Sequence, residues 1–154
     1  MLQIYNKLLE LPLFIGISNA ELADIVGNTK FGFHKLSEGK ILVKEDEKCE
    51  QLYFLVSGSL RVLSRADNHR YSIEEQLKAP AVIQPEHFFG LIQHHTKTFS
   101  AATACSLLSL DKTEVLRLMD ESFIFRLNFL NTVSMQAQKG SHYPWQIGRA
   151  SCRE

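Results

Sequence analysis

Short β-rich segments follow one another between residues 30 and 110, and no helix-like period of apolar residues interrupts them. The clearest pair is Leu52–Val56 and Ser59–Leu63, which a Ser-Gly dipeptide joins. Gly58 in that dipeptide can adopt a positive φ without steric cost, so the pair predicts a β-hairpin. Closely spaced short strands without helices between them predict an antiparallel sandwich or barrel. Further strand-like segments are Phe31–His34, Ile41–Val43, Tyr71–Leu77, Phe99–Ala104 and Leu107–Leu110, with a turn expected at Asp67–His69.

Helical patterns flank this β region on both sides. Ser18 with Glu21 forms a capping box ahead of an apolar run, and Asp111 with Glu114 repeats the pattern after the last strand. A second, longer helix is predicted over Phe123–Gln138. The fold is therefore expected to be mainly β with flanking helices.

These patterns divide the chain into three parts. Residues 1–110 hold the N-terminal helices and the β-roll, and residues 111–139 hold the short helix and the long helix. Residues 140–154 show no helical or strand period and are expected to form an irregular tail. The Gly-Ser-His start of this tail resembles a vector-derived or out-of-frame segment, so the fold is predicted without it.

The long helix carries more apolar surface than one contact with a small β-roll needs. Phe123, Leu127 and Leu130 step by four and three residues, and the small Ser134 continues the line. The stripe is widened by Ile124, Phe129 and Val133. A partner helix would cover such a stripe as a two-stranded seam, so Phe123, Leu127, Leu130 and Ser134 are the candidate homodimer interface. The alternative is that the whole helix lies on its own β-roll.

The charge balance and the apolar runs exclude two classes of partner. The chain has 17 Lys and Arg residues against 17 Asp and Glu residues, so its formal net charge is +0. General polyanion binding normally rests on clustered cationic excess, which this balance does not favour. Apolar runs stay short of the roughly 20 residues that span a bilayer, and the N-terminus lacks the pattern of a secretion signal. No membrane partner is expected.

The cysteines indicate a reducing compartment. Cys49, Cys105 and Cys152 are an odd number and show no C-x-x-C spacing. Such usage fits reduced thiols better than a disulfide framework or a zinc site, so a cytoplasmic location is expected. Cys105 lies beside a predicted strand and is expected to be a small core hydrophobe.

Side chains that carry metal or catalytic chemistry form no recognisable pattern. His94 and His95 are adjacent, so they would project to opposite faces of an extended segment and could not share one ion with His87. The sequence has neither a His-x-His pair nor a recognisable Ser/His/Asp motif. We expect no metal site and no enzymatic activity.

Three motifs, in order, resemble the cyclic-nucleotide-binding domain of the Crp–Fnr transcription regulators. They are Leu11-Pro12-Leu13-Phe14, Glu38-Gly39 and Tyr53-Phe54-Leu55-Val56-Ser57-Gly58-Ser59-Leu60-Arg61-Val62. The resemblance covers about Leu2 to Lys139 and implies an antiparallel β jelly-roll followed by a long dimerisation helix. In that family a helix-turn-helix domain follows the helix and binds DNA in the major groove. The residues after Lys139 are too few for such a domain, so the resemblance implies DNA binding for a full-length parent and not for this chain.

The family's ligand signature is altered in this sequence. The family holds a cyclic phosphate and its ribose with Phe-x-Gly-Glu, a short helix and Arg-Ser/Thr-Ala. Gly90 matches the glycine, but Leu91 stands in place of the glutamate, His95 at the arginine and Thr96 at the hydroxyl position. The resemblance therefore implies these candidate ligand-binding residues: Phe88, Phe89, Gly90, Leu91, His95 and Thr96.

The lost glutamate and arginine set the functional expectation. Each charge-assisted contact is worth roughly 1.5–3 kcal/mol, so together they remove roughly two to four decades of affinity. The resemblance implies a ligand-sensing, dimerising domain with a degenerate cyclic-nucleotide pocket, whose ligand is a cyclic nucleotide or another small anion. Two alternatives stay open: a ligand-free dimerisation scaffold, and a sensor that still binds cyclic AMP weakly.

Overall fold

The computed structural model describes residues 2–65 and 72–152, with side chains described for 6–65 and 72–139. Within these residues the chain forms four α-helices, eight strands and a short 3-10 turn at Pro85–His87. The helices are α1 (Leu2–Glu10), α2 (Asn19–Asn28), α3 (Lys112–Glu121) and α4 (Phe123–Cys152). The strands are β1 (Gly32–Leu36), β2 (Ile41–Val43), β3 (Gln51–Ser57), β4 (Ser59–Arg65), β5 (Ser72–Lys78), β6 (Ala81–Val82), β7 (Thr98–Ala101) and β8 (Cys105–Asp111).

The strands form two four-stranded antiparallel sheets. The first sheet has the order β1-β8-β3-β6, and the second has the order β2-β7-β4-β5. The two sheets pack against each other through a shared core, to which Leu55 and Leu107 contribute from the first sheet and Leu60 and Phe99 from the second. The predicted mainly β fold with flanking helices is confirmed.

The helices cover the other face of the first sheet. Alternation along β3 directs Leu52 and Phe54 away from the second sheet and into a core that includes Leu22 of α2, Leu118 of α3 and Phe125 of α4. The central strands β3 and β8 of the first sheet are therefore buried between the second sheet on one side and the helices on the other, whereas the edge strand β1 is largely exposed. None of the helices in the described ranges is long and apolar enough to cross a membrane.

Ser18 and Asp111 are confirmed as the N-caps of the two predicted capping boxes. The Ser18 hydroxyl accepts a hydrogen bond from the Glu21 backbone N–H at 3.2 Å and begins α2. The Asp111 carboxylate accepts one from the Glu114 backbone N–H at 2.9 Å and begins α3. These side chains satisfy backbone donors that have no partner inside a helix.

The predicted hairpin at Gly58 is wrong, although its two strands exist. β3 pairs with β6 and β8, whereas β4 pairs with β5 and β7, so the two strands lie in different sheets. Gly58 has φ +91°, and a Cβ there would collide with the backbone of Ala104 and Cys105. A Ser-Gly dipeptide is compatible with a corner between two sheets as well as with a hairpin. Which of the two forms depends on the distant strands with which β3 and β4 pair.

α4 is longer than predicted. We expected it to end at Gln138, before an irregular tail over 140–154, but it continues to Cys152. Elongation of a helix that is already formed needs no new nucleus, and the helix continues through Gly140, Pro144 and Gly148 although all three have low helix propensity. That residues 140–154 are vector-derived or out of frame stays a prediction. The turn predicted at Asp67–His69 lies outside the described residues.

Candidate functional site

A cavity of about 390 Å³ opens between the second sheet and α4. Its walls come from β4, β5, β6, β7, the Pro85–His87 turn and α4. The lining includes Val62, Gln76, Gln84, Lys97, Phe99 and Gln136. A cavity of this size and mixed polarity fits a small polar ligand.

Gln84 connects this cavity to the segment where the sequence placed the ligand site. It is buried, at 8% exposure, and its backbone is left-handed with φ +43°. Its side-chain amide donates a hydrogen bond from Nε2 to the Thr96 hydroxyl at 2.8 Å. Its Oε1 accepts one from the Thr96 backbone N–H at 3.2 Å and lies 3.1 Å from Nδ1 of His95. Gln84 thus contacts two of the predicted ligand-binding residues, His95 and Thr96.

The same contacts assign the proton on His95. The Thr96 backbone N–H can only donate, so it faces the oxygen of the Gln84 amide. His95 must then donate to that oxygen from Nδ1, which makes neutral His95 the Nδ1–H tautomer. Burial lowers the pKa of His95 below its ordinary value of 6.5, an effect that Glu47 opposes and His87 reinforces. At neutral pH His95 is therefore an uncharged imidazole.

The two predicted phenylalanines lie in the helix-side core. Phe88 is buried, and the Lys112 ammonium lies over its ring at 4.1 Å from the centroid and donates to its backbone carbonyl. Phe89 contacts Phe129 of α4 at 5.8 Å between ring centroids. The structure therefore uses Phe88 and Phe89 to attach the segment after the Pro85–His87 turn to α3 and α4.

Gly90 and Leu91 lie at the surface. Gly90 has φ +93°, which favours glycine, and the following Leu91 is 99% exposed. Residues 91–96 form no helix. Instead the chain is extended: the His95 backbone donates to Glu47 and accepts from Asp46. The residue at the family's glutamate position is thus directed to solvent rather than toward the cavity.

The charges around the cavity are balanced. Lys97 forms an ion pair with Glu75 at 3.8 Å, and Glu86 and Lys139 also belong to the lining. Among the described residues that line the cavity there is no arginine. None of the six candidate ligand-binding residues is in that lining either. The part of these six residues in ligand binding stays a prediction. Gln84, which the sequence analysis did not single out, lines the cavity and contacts two of them, His95 and Thr96.

α4 presents one apolar face to the core and another to solvent. Phe125 and Phe129 are buried against the helix-side core, at 0% and 4% exposure. On the other face Phe123 is 62% exposed, Leu127 39% and Leu130 55%. Ser134 is exposed as well. All four predicted interface residues therefore lie outside the chain's own core.

The described cysteines are structural. Cys105 is buried, as predicted, and its Sγ–H lies within hydrogen-bond distance of the Ser59 carbonyl at 3.2 Å. Cys49 is buried too, and desolvation raises the pKa of its thiol to about 11. Across residues 6–65 and 72–139, no three His, Cys, Asp or Glu side chains lie close enough together to hold a metal ion.

Solved structures share this architecture. A catabolite activator protein from Thermus thermophilus superposes with a TM-score of 0.77 at 15% identity, over 89% of this chain and 63% of that one. The sensor domain of the transcriptional regulator DNR from Pseudomonas aeruginosa superposes with a TM-score of 0.72 at 15% identity, over 92% of this chain and 93% of that one. A transcriptional regulator from Thermotoga maritima superposes with a TM-score of 0.70 at 20% identity, over 82% of this chain and 96% of that one. These are regulators and a sensor domain, not enzymes.

Sequence comparison assigns the family. No curated protein sequence matches the chain. The family model of the cyclic nucleotide-binding domain, however, matches residues 33–122, from β1 through the whole β region and α3. That stretch is more than half of the chain and includes two of the three motifs that suggested the resemblance, Glu38-Gly39 and Tyr53–Val62, whereas Leu11–Phe14 precedes it. The protein therefore belongs to the cyclic nucleotide-binding domain family.

Proposed function

We propose that this chain is the ligand-sensing, dimerising part of a Crp–Fnr-type transcription regulator. The observation that carries the proposal is the cavity of about 390 Å³ whose wall is shared by the Gln84 segment and α4. Gln136 and Lys139 of α4 line the same space as Gln84 and Lys97. A molecule that enters the cavity would therefore touch both the β-roll and the helix.

The cavity is suited to a ligand that does not depend on the glutamate and arginine contacts of the family's ligand signature. His95 is neutral at physiological pH and already bonded to Gln84, and Leu91 faces solvent. Lys97 is engaged by Glu75. A cyclic phosphate would gain neither an arginine nor a glutamate contact, so cyclic AMP is expected to bind in the millimolar range at best.

The route from the cavity to α4 runs through two adjacent aromatic side chains. Phe88 and Phe89 follow the Pro85–His87 turn directly, and their ring centroids lie 5.0 Å apart. Phe89 in turn contacts Phe129 of α4. A ligand that shifts the turn would repack this contact and bias the position of α4, which is a two-state coupling between ligand and helix.

The regulatory output of the parent protein would be DNA binding. A helix-turn-helix domain that follows the long helix would be reoriented as α4 moves. Residues 1–154 by themselves are expected to form no discrete complex with DNA. An electrophoretic mobility shift assay at low salt checks this expectation.

The test of the sensing function is a calorimetric titration with cyclic AMP extended to millimolar concentration. We expect at most millimolar binding, and the same titration of a Gln84→Leu variant shows whether any residual heat comes from this cavity. Micromolar affinity would mean that backbone donors near Gly90 replace the lost side chains, and the degenerate-pocket proposal would be wrong.

The second candidate function is a ligand-free dimerisation scaffold. It is favoured by the exposed stripe Phe123, Leu127 and Leu130, whose exposure is enough for pairing with a second copy whether or not the cavity is occupied. Hydrogen exchange of α4 separates the two candidates. If saturating cyclic AMP and a small-metabolite panel all leave the exchange of α4 unchanged, the scaffold is the better description.

A further inference from the structure

A second cavity lies on the helix-covered face of the first sheet, apart from the one described above. It is a groove of about 220 Å³ between α1 and the β1 edge of the sheet. The register places Phe33 opposite Leu108 and Lys35 opposite Ser106, so these four residues line one face of the sheet. Lys7 of α1 belongs to the opposite wall.

The groove is apolar along its length. Leu108 forms its floor at 6% exposure, and Val56 of β3 is half-buried beside it. Phe33 is 62% exposed, although a phenylalanine buries a large area when a partner covers it. The groove therefore offers apolar surface that the described part of the chain leaves uncovered.

The charges at its rim have one sign. Lys7 and Lys35 are both exposed, and among the described residues that line the groove none is acidic. Neither lysine forms a salt bridge with a described side chain. The nearby His34 is already engaged, with Nε2 at 2.8 Å from the Ser109 hydroxyl. Two unpaired ammonium groups above an apolar floor complement a ligand that has an apolar body and an anionic head.

We propose that this groove binds a medium-chain carboxylic acid. Its alkyl chain lies on Phe33, Val56 and Leu108, and its carboxylate lies between Lys7 and Lys35. An apolar cavity of about 150 Å³ holds a benzene molecule, so a groove of about 220 Å³ is the right size for a short acyl chain.

The test uses three probes with one alkyl chain and different head groups: octanoate, octan-1-ol and octylamine. Each is titrated into the ¹⁵N-labelled chain below its aggregation concentration and followed by amide chemical shifts. We expect octanoate to bind at least about tenfold more tightly than octan-1-ol, because two charge-assisted contacts are added, and octylamine to bind least. The shifted amides should include Phe33, Val56 and Leu108.

Charge reversal at the rim is the decisive variant. Lys7→Glu with Lys35→Glu should lose octanoate binding at least about tenfold and gain octylamine binding. Lys40→Glu with Lys78→Glu, at two other exposed lysines, makes the same change in net charge and should leave octanoate binding unchanged. Circular dichroism confirms that both variants are folded.

Several outcomes would overturn the proposal. Equal binding of the three probes would indicate unspecific contact of the alkyl chain, and retained octanoate binding in the reversed variant would exclude the lysines. Shifts confined to Gln76, Gln84 and Lys97 would place octanoate in the other cavity instead. Because the groove is separate from that cavity, the first two results leave the sensing function proposed above untouched, whereas the third would make octanoate a candidate ligand of the sensing cavity.

Discussion

Gln84 is the residue on which the candidate site depends, and its sequence context did not reveal it. Its partners His95 and Thr96 are eleven and twelve residues away, and the contacts require a left-handed backbone at Gln84 itself. A single glutamine before a proline carries no periodic or motif signal. His95 and Thr96, by contrast, were predicted from their place in the family's ligand signature, and their part in ligand binding stays a prediction.

Replacing Gln84 with leucine should destabilise the fold. The change keeps the volume but removes the acceptor for His95 Nδ1 and for the Thr96 backbone N–H, and an unsatisfied buried donor costs about 1–3 kcal/mol. The free energy of unfolding in urea measures the loss. Gln136→Leu, at an exposed position of α4 that lines the same cavity, is the matched control and should change stability little. Equal stability of both variants would remove Gln84 from its central role.

His95 should make stability depend on pH below neutrality. Its pKa is lowered in the folded state because burial disfavours the charged form. Above the ordinary value of 6.5 both states are neutral and no effect is expected. Below that value the unfolded state binds the proton first, so the free energy of unfolding falls until the folded pKa is reached. Urea denaturation at pH 7.5 and pH 5.5 should show a smaller decrease for His95→Gln than for the wild type, whereas exposed His94→Gln should behave like the wild type.

At the scale of elements, local signals predicted the helix starts well and the strand pairing poorly. The caps at Ser18 and Asp111 use side chains within three residues of their partners, so a short window of sequence contains the whole interaction. The corner at Gly58 depends on contact with Ala104 and Cys105, which lie more than forty residues away. No short window contains that information, and the hairpin prediction was therefore wrong.

Arg117 of α3 joins elements that the sequence left unconnected. Its guanidinium donates to the Asn28 carbonyl at 2.9 Å, the Thr29 hydroxyl at 2.8 Å and the Glu114 carboxylate at 2.8 Å. Arg117→Ala should lower the free energy of unfolding by about 1–3 kcal/mol, since it removes the tie between α3 and the end of α2. Thermal and urea denaturation measure the change.

The matched control for Arg117 is Glu121→Gln. Glu121 also binds Arg117, but its side chain is 57% exposed, so this ion pair contributes little. If the two variants lose the same stability, the link to α2 is not what Arg117 provides. Arg117→Lys should recover only part of the loss, because a single ammonium nitrogen cannot bind Asn28, Thr29 and Glu114 as Nη2 does and also bind Glu121 as Nη1 does.

At the scale of the whole molecule, the exposed face of α4 predicts a dimer. Leu127→Lys with Leu130→Lys would place two charges in the seam, and we expect the chain to become monomeric, as measured by light scattering after size exclusion. Leu116→Lys with Ile73→Lys makes the same chemical change at two other exposed apolar residues and should leave the mass unchanged. A dimer that survives the α4 variant would mean that the seam lies elsewhere.

The corner at Gly58 has a consequence for how the molecule assembles. β3 and β4 enter different sheets there, and β7 and β8 divide between the same two sheets at residues 102–104, against which Gly58 packs. Each sheet therefore contains one strand of the β3–β4 pair and one strand of the β7–β8 pair. Neither sheet can form its strand pairs unless the other sheet forms as well. The domain should unfold in one cooperative transition without a stable half. Its folding rate should be set by the meeting of segments about forty residues apart, which places it among the slow, high-contact-order β proteins.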